Sequence, residues 1–213
     1  MGTINQGILG GVSGKVGNVV GGNWKGIDYL RIMPASVANP QTEAQMDQRS
    51  KFVTVLNFLQ PLKDVVKVGF KDYAIKMTQF NSAMSYNLKN AITGEYPDYT
   101  IDFANALLSK GSLAPVSNGD VMPLAGGTIR FSWTDNSELS NANATDKAMV
   151  IIYAPELNEA VFLLDGAARG TETQNLSVPD YFSGTTAHAF MGFVSGDGKG
   201  VANSKYLGTI NVV

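Results

Sequence analysis

The stretch KAMVIIYAP, residues 147–155, is followed closely by EAVFLLD, residues 159–165. Both runs are rich in β-branched and aromatic residues, and the turn-forming residues Pro155 and Asp165-Gly166 follow them. Similar runs recur along this part of the chain: TIRFSW (128–133), TQNLSV (173–178), HAFMGFVS (188–195) and SKYLGTINV (204–212). Short strands at this spacing predict an antiparallel β-sandwich.

We place this sandwich at residues 95–213, with YTIDF (99–103) and ANALLSKG (104–111) as its first strands. Alternate side chains of a strand point to the same face. The residues that we expect to point inward are Val150, Ile152, Phe162, Leu164, Phe190 and Val194.

The C-terminal part of the chain resembles a fibronectin type III or immunoglobulin-like sandwich. The resemblance rests on Trp133 in an early strand, on Leu176 with Pro179, and on GDGKG (196–200) before the last strand. The fold class that we predict is α+β and mainly β.

Residues 39–94 are predicted to be helical. Thr42 with Gln45 fits a capping box, and apolar residues follow at helical spacing. Pro61 ends or kinks the first helix, because proline cannot donate the next backbone hydrogen bond. Two more amphipathic stretches follow, and Thr93-Gly94 is predicted to close the last one.

Residues 1–38 are rich in glycine, as in GILGGVSGKVGNVVGGNWKG (7–26). The β-prone runs KVGNVV (15–20) and NWKGIDYLRIM (23–33) flank Gly21-Gly22, so we predict a hairpin that turns at this pair. On the second run the alternation puts Trp24, Leu30 and Ile32 on one face, and Ile27, Tyr29 and Met33 on the other.

A ribbon that is apolar on both faces must be covered on both sides. We therefore expect this β-arm to pack against a neighbour, either in the same chain or in another copy. The predicted assembly interface consists of Val16, Val19, Val20, Trp24, Ile27, Tyr29, Leu30 and Ile32.

The glycines do not match a nucleotide-binding loop. A phosphate loop needs Gly, four residues, and then Gly-Lys followed by Ser or Thr. Val16 follows Gly14-Lys15, and Leu9 stands where the first glycine belongs. The dinucleotide-binding glycine pattern fails at Leu9 as well, so we predict no cofactor.

The sequence offers few residues for catalysis. Cysteine is absent, which excludes thiol catalysis and zinc–thiolate sites, and His188 is the single histidine. We interpret His188 as a packed or surface strand residue and predict no catalytic site. A hydrolase that uses paired carboxylates, such as Asp98 with Asp102 or Glu156 with Glu159, is a third hypothesis.

Calcium is a related alternative, because several predicted loops carry an aspartate. The residues are Asp135, Asp146, Asp165 and Asp197. They lack the closely spaced ligand ladder of a calcium loop, and we predict no metal site.

The charge and hydropathy of the chain limit the kinds of molecule that we expect it to bind. Charged residues make up only 16% of the chain, and the net charge is −2. Residues 1–92 hold 10 Lys/Arg and 5 Asp/Glu, whereas residues 93–213 hold 6 and 13. This asymmetry favours head-to-tail attraction between copies or solvated helix faces, and we do not predict nucleic-acid binding.

The N-terminus lacks the basic and apolar regions of a secretory signal, and no run is apolar enough to span a membrane. We expect a protein that is cytoplasmic, associated with a virion, or exported by a non-classical route.

Three blocks of sequence resemble a family of small proteins of unknown function in the Bacteroidota: GILGGVSGKVGNVVGGNWKGIDYLR (7–31), NPQTEAQMDQRSKF (39–52) and FVSGDGKGVANSKYLG (193–208). The likeness spans essentially the whole chain and implies no activity or site residue. Our leading hypothesis is a phage-related, non-enzymatic structural protein that assembles with copies of itself into a filament, ring or virion-type particle. The alternative is an adhesion or binding module whose sandwich loops recognise a glycan, a surface or a protein.

Overall fold

The computed structural model describes residues 2–4, 10–24, 26–36, 41–139 and 141–213. Backbone contacts group the chain into two compact units, residues 1–42 and 43–213, which we call the arm and the body. The three segments predicted at 1–38, 39–94 and 95–213 therefore reduce to two units, because the helices share a core with the sandwich.

The arm is an antiparallel sheet with the strand order β1-β2-β3-β4. Its strands are β1 (Thr3–Ile4), β2 (Val12–Val16), β3 (Val19–Trp24) and β4 (Ile27–Ile32).

The turns of the arm differ from the prediction. Val16 pairs with Val19, and Trp24 pairs with Ile27, so the chain turns at residues 17–18 and again between Trp24 and Ile27. The predicted turn at Gly21-Gly22 is wrong, because both glycines lie inside β3. The first turn instead uses Gly17, whose φ of 59° suits the first central position of a tight hairpin turn.

The body begins with three helices: α1 (Glu43–Leu59), α2 (Lys63–Gly69) and α3 (Gln79–Asn90). As predicted, α1 starts directly after Thr42 and ends before Pro61. Thr78 caps α3 by accepting a hydrogen bond of 3.2 Å from the backbone N–H of Asn81.

The prediction for the end of the helical region is wrong. Thr93-Gly94 does not close α3, which ends at Asn90. The pair lies in β5 (Ile92–Glu95), which forms a hairpin with β6 (Asp98–Ile101). Gly94 has a φ of 93°, and a Cβ at this position would lie 2.5 Å from the carbonyl oxygen of Asp98, so the hairpin needs glycine here for a reason other than a helix end.

ANALLSKG (104–111) is not a strand. Side chains of the body bind its backbone N–H groups instead of a neighbouring strand. Asn87 Oδ1 accepts from Leu107 at 3.0 Å, and Ser204 Oγ accepts from Leu108 at 2.8 Å. Because these bonds satisfy buried backbone groups, the segment is ordered without joining a sheet.

Two antiparallel sheets form the sandwich that the sequence predicted. One has the order β10-β9-β12-β13 and the other the order β11-β8-β7. The strands are β7 (Ser117–Leu124), β8 (Thr128–Thr134), β9 (Lys147–Ala154), β10 (Glu159–Leu163), β11 (Thr173–Ser177), β12 (Thr186–Val194) and β13 (Lys205–Asn211). Three strands against four is a sandwich of the immunoglobulin and fibronectin type III kind.

The four-stranded sheet is covered on both faces. Val150 and Ile152 lie in the core between the two sheets, whereas Ile151 lies on the opposite face against the helices. Of the residues predicted to point inward, Phe162, Leu164, Phe190 and Val194 belong to this helix-facing core rather than to the sandwich core. The body therefore has three layers, and β9 is its centre.

Candidate functional site

The exposed apolar residues of the arm lie on two faces of its sheet. Residues that stand opposite each other in an antiparallel pair share a face. Trp24 therefore shares a face with its partner Ile27 and with Tyr29, whose partner is Gly22. The prediction that grouped Trp24 with Leu30 and Ile32 is wrong, because a turn separates β3 from β4 and restarts the alternation.

Leu30 and Ile32 lie on the second face, where Ile32 pairs with Val19, and Val19 pairs with Val16. Exposure of the arm's large apolar side chains is high on both faces: 66% for Trp24, 69% for Ile27, 61% for Leu30 and 79% for Ile32. The structure thus brings the predicted interface residues onto one small sheet, and Val20 is its least exposed member.

Glycine allows the chain to fold closely onto itself inside the arm. Gly14 has a φ of 96°, which lets β2 bend. A Cβ at Gly21 would lie 1.9 Å from the carbonyl oxygen of Val12, so any larger residue would collide with backbone there. The backbone that the glycine at position 21 accommodates therefore belongs to the same chain.

Strand β4 is an edge of the arm sheet in the part of the chain that the structure describes. The N–H of Met33 donates to the carbonyl of Asn18 at 2.7 Å, so this pair is hydrogen-bonded. Hydrogen-bonded and non-hydrogen-bonded pairs alternate along an antiparallel ladder. It follows that the backbone N–H and C=O groups of Asp28, Leu30 and Ile32 point away from β3, towards the open edge.

Polar contacts fix the turn end of this edge. The side chain of Asn23 donates to Asp28 Oδ1 at 2.8 Å and accepts from the backbone N–H of Gly26 at 2.9 Å. Because these bonds hold the hairpin in register, β4 presents a preformed edge.

The body contains a buried ion pair that no sequence motif predicted. Arg169 and Asp146 are fully buried, and Arg169 Nη2 lies 3.1 Å from Asp146 Oδ2. Arg169 also donates to the carbonyl of Ala114 at 3.1 Å, and its guanidinium lies 3.8 Å from the ring centroid of Phe193. Burial lowers the pKa of Arg169, and the charge of Asp146 opposes that shift.

This network joins separate loops of the sandwich. The carbonyl of Arg169 accepts a 2.7 Å hydrogen bond from Trp133 Nε1, and the side chain of Asn136 accepts from Arg169. Asp146 Oδ1 has no hydrogen-bond partner. A charged cluster so enclosed has no path to a substrate, and we assign it to the stability of the loops.

The four loop aspartates considered for calcium have different contacts. Asp135 accepts from Ser137, and Asp197 accepts from Ser195. Asp146 pairs with Arg169, and Asp165 lies 3.9 Å from the ammonium group of Lys147. Within the described ranges, no three acidic or histidine side chains form a group that suits a metal ion.

His188 is packed against aromatic rings. Its ring stacks on Phe103 with centroids 3.6 Å apart, and its Nδ1 lies 2.9 Å from the hydroxyl of Tyr206. Burial lowers the pKa of His188, which favours the neutral form.

A groove between the helices brings cations and aromatic rings together. It has a volume of about 370 Å³. The ammonium group of Lys110 lies 4.6 Å from the ring centroid of Tyr73 and 5.2 Å from that of Tyr86. Lys89 also lines the groove, and no carboxylate does. The arrangement suits a ligand that carries a negative charge and an apolar or ring-shaped body.

In the sequence, Tyr73 is one more apolar residue of the amphipathic helical region, and no motif marks Lys110. The two residues are far apart in the chain, and Lys110 reaches the groove from the irregular segment that was predicted to be a strand. The N–H of Lys110 donates to the carbonyl of Gly69 at 2.8 Å, which holds this segment against α2.

Another surface cluster joins α1 to the β5–β6 hairpin. Lys51 Nζ lies 2.8 Å from Asp47 Oδ2, and the hydroxyl of Tyr99 donates to Asp47. The hydrogen bonds from Lys51 and Tyr99 lower the pKa of Asp47. This cluster lies on the surface and supports the packing of the hairpin on the helix.

The helices in the part of the chain that is described are too short or too polar to cross a membrane.

Comparison with known proteins shows the family to which the chain belongs but assigns it no activity. Residues 11–208 match the sequence model of DUF6266, a family of unknown function. The chain therefore belongs to this family, as the resemblance of its sequence blocks to an uncharacterised family had suggested.

No curated protein matches the chain. One similar solved structure is the fibronectin type III domain of the human collagen α1(XX) chain, at 15% identity and a TM-score of 0.33. The match covers 49% of this chain and 91% of that domain.

Proposed function

We propose that this protein is a non-enzymatic structural subunit that assembles with copies of itself through the arm. The assembly would be a filament, a ring or a virion-type particle. The observation that supports the proposal is the surface of the arm, where large apolar side chains are exposed on both faces of a sheet that also has an open edge. Exposed apolar surface of this kind marks interaction sites.

The body differs from the arm in the burial of its strands, and this difference supports the proposal. Its two central strands, β9 and β12, are buried almost throughout, so the hydrophobic side chains of these strands are already used for folding. Contact between two arms, or between an arm and another sheet edge, would remove the exposed apolar area from water at roughly 25 cal/mol per Å².

A charge on the arm tests the proposal in the full-length chain. Leu30→Lys places an ammonium group on the apolar face beside the open edge, and we expect the mass measured by light scattering to fall to that of a monomer. Met122→Lys is the matched control, because Met122 is a body residue that is 54% exposed. If Leu30→Lys has the same mass as the wild type at every concentration, the proposal fails.

We propose a second function, recognition of an acidic glycan or another anionic ligand, on the basis of the groove that contains Lys110. Lys110 Nζ lies near two tyrosine rings, and the groove has no lining carboxylate to neutralise it. Galacturonic acid is a suitable probe, with galactose as the neutral control. Saturable binding of the acid that is lost in Lys110→Met favours this function, and equal behaviour of the two sugars contradicts it.

A further inference from the structure

We propose that β4 pairs with β4 of a second copy, antiparallel and with Leu30 at the two-fold axis. This inference rests on the proposed self-assembly and names the surface to which the arm edge binds. The product is an isologous dimer in which the two arm sheets form one continuous sheet.

Strand β4 differs from the other edge strands in the described part of the chain. Natural sheet edges are blunted by short length, bulges, proline or polar side chains. Strand β7 contains Pro123 and an irregularity between Ser117 and Asp120, β11 reads TQNLS, and β1 has two residues. Strand β13 has an irregular register opposite β12, and β10 is largely half-buried.

Strand β4 is the least protected of these edges: it contains no proline and no irregularity, and its charged side chains are Asp28 and Arg31. It reads IDYLRI, all six of its residues are exposed, and its pairing with β3 is regular from Trp24–Ile27 to Val19–Ile32. An edge of this kind is a template for another strand, and the simplest mate with the same unprotected character is β4 of a second copy.

The direction of the backbone groups limits the possible registers. Asp28, Leu30 and Ile32 present their N–H and C=O groups to the open edge, whereas Tyr29 and Arg31 present theirs to β3. A second strand must therefore place one of the outward residues opposite another, which excludes every register that pairs an outward residue with an inward one.

Side-chain chemistry selects among the registers that remain. An axis at Arg31 would place the two Arg31 side chains directly opposite each other, and it would place Pro34, which has no N–H, opposite Asp28. An axis at Tyr29 would leave each Arg31 opposite Ile27. Like charges that face each other across strands are destabilising, and an unpaired cation opposite an aliphatic side chain gains nothing.

An axis at Leu30 avoids both faults at Arg31, and each Asp28 still accepts its hydrogen bond from Asn23. Leu30 stands opposite Leu30 of the second copy, and Asp28 stands opposite Ile32, so the outward residues exchange both backbone hydrogen bonds. Arg31 stands opposite Tyr29 in a non-hydrogen-bonded pair, where side chains are closest, and a cation–π contact can form twice. The full length of β4 is then paired.

The chain contains no cysteine, so single cysteines report this register in the full-length protein without further changes. We expect Leu30→Cys to form a disulfide-linked dimer under mild oxidation, since Cα atoms of a hydrogen-bonded pair lie about 5.5 Å apart. Ile32→Cys is the matched control: the two copies of residue 32 would be offset by four residues, roughly 13 Å along the strand.

The register predicts a dimer yield at Leu30→Cys at least about tenfold above that at Ile32→Cys, because cysteines more than ~7 Å apart cannot be bridged. The double variant Asp28→Cys/Ile32→Cys should recover the cross-link. Equal yields along β4 would overturn the inference, and so would a maximum at Tyr29→Cys or Arg31→Cys.

Light scattering of the protein without cross-links distinguishes a failure of the β4 pairing from a failure of self-assembly. An oligomer whose Leu30→Cys variant does not cross-link refutes the pairing of β4 with β4 and leaves self-assembly through another edge. A wild-type protein that stays monomeric at every concentration refutes self-assembly and the β4 pairing together. Circular dichroism of each cysteine variant verifies that the fold is intact.

Discussion

The arm and the body both contain a four-stranded antiparallel sheet with apolar side chains on its two faces, but only the body covers both. In the body, Ile151 packs under the helices and Ile152 packs under the second sheet, and both are fully buried. In the arm, Leu30 and Ile32 alternate with Tyr29 in the same way and are all exposed. A strand that is apolar on both faces must be covered on both faces. Its sequence does not tell whether the same chain or another copy supplies that cover.

The largest effect on stability is expected when the buried ion pair of the body is removed. In Arg169→Met, Asp146 loses its cation and stays buried, so we expect the free energy of unfolding to fall by about 3–5 kcal/mol. Urea denaturation measures this, with the fluorescence of Trp133 as the signal in a Trp24→Phe background.

Lys147→Met is the matched control. Its ammonium group lies 3.9 Å from Asp165 in an exposed pair, and such pairs contribute at most ~1 kcal/mol. Equal urea midpoints for the two variants would show that the buried network does not hold the loops of the body.

A second test compares the same kind of residue in the two regions. Ile151→Ala and Ile152→Ala each leave a cavity, on opposite faces of β9, and should each lower the free energy of unfolding by about 2–5 kcal/mol. Leu30→Ala removes a side chain that is 61% exposed, and it should change the free energy of unfolding of the body by no more than about 0.5 kcal/mol. A large effect of Leu30→Ala on the free energy of unfolding of the body would contradict the difference in burial that we describe between the arm and the body.

The smallest expected effect is on the pH dependence of the body. Burial lowers the pKa of His188 below its ordinary value of 6.5. The unfolded chain then binds the proton more readily, so stability is full above pH 6.5 and falls as the pH drops through the folded pKa. NMR titration of this single histidine should give the lowered pKa, and His188→Phe should flatten the stability profile just below pH 6.5.

A pKa of His188 at or above 6.5 would contradict its packing against Phe103. Asn211, whose side chain accepts a hydrogen bond from Thr186 two residues along the same strand pair, offers the control substitution Asn211→Ser, which carries no titrating group.

Much of the body could be predicted from its sequence, because its strands and helices carry local signals. Pro61 ended α1, Thr42 preceded it, and the sandwich strands had regular spacing between turn residues. The helix-facing layer was missed, although a clue was present: KAMVIIYA is continuously apolar rather than alternating, which is typical of a strand buried on both faces.

The errors arose where one residue type serves several structures. Gly21-Gly22 suited a turn, yet Gly17 and Gly26 make the turns, and Gly21 makes room for the backbone of Val12. ANALLSKG had the apolar content of a strand, but Asn87 and Ser204 bind its backbone. The Arg169–Asp146 pair and the Lys110 groove join residues that are distant in sequence, and no local pattern reveals such contacts.

The most direct measurement of the central claim, that the arm edge pairs with another strand between copies, is amide hydrogen exchange along β4 as a function of protein concentration. In a monomer the N–H groups of Leu30 and Ile32 face solvent, whereas that of Arg31 is bonded to β3. We expect the amides of Leu30 and Ile32 to become protected as concentration rises, while that of Arg31 is protected throughout. Exchange of the Leu30 and Ile32 amides at the unprotected rate at every concentration would contradict this claim.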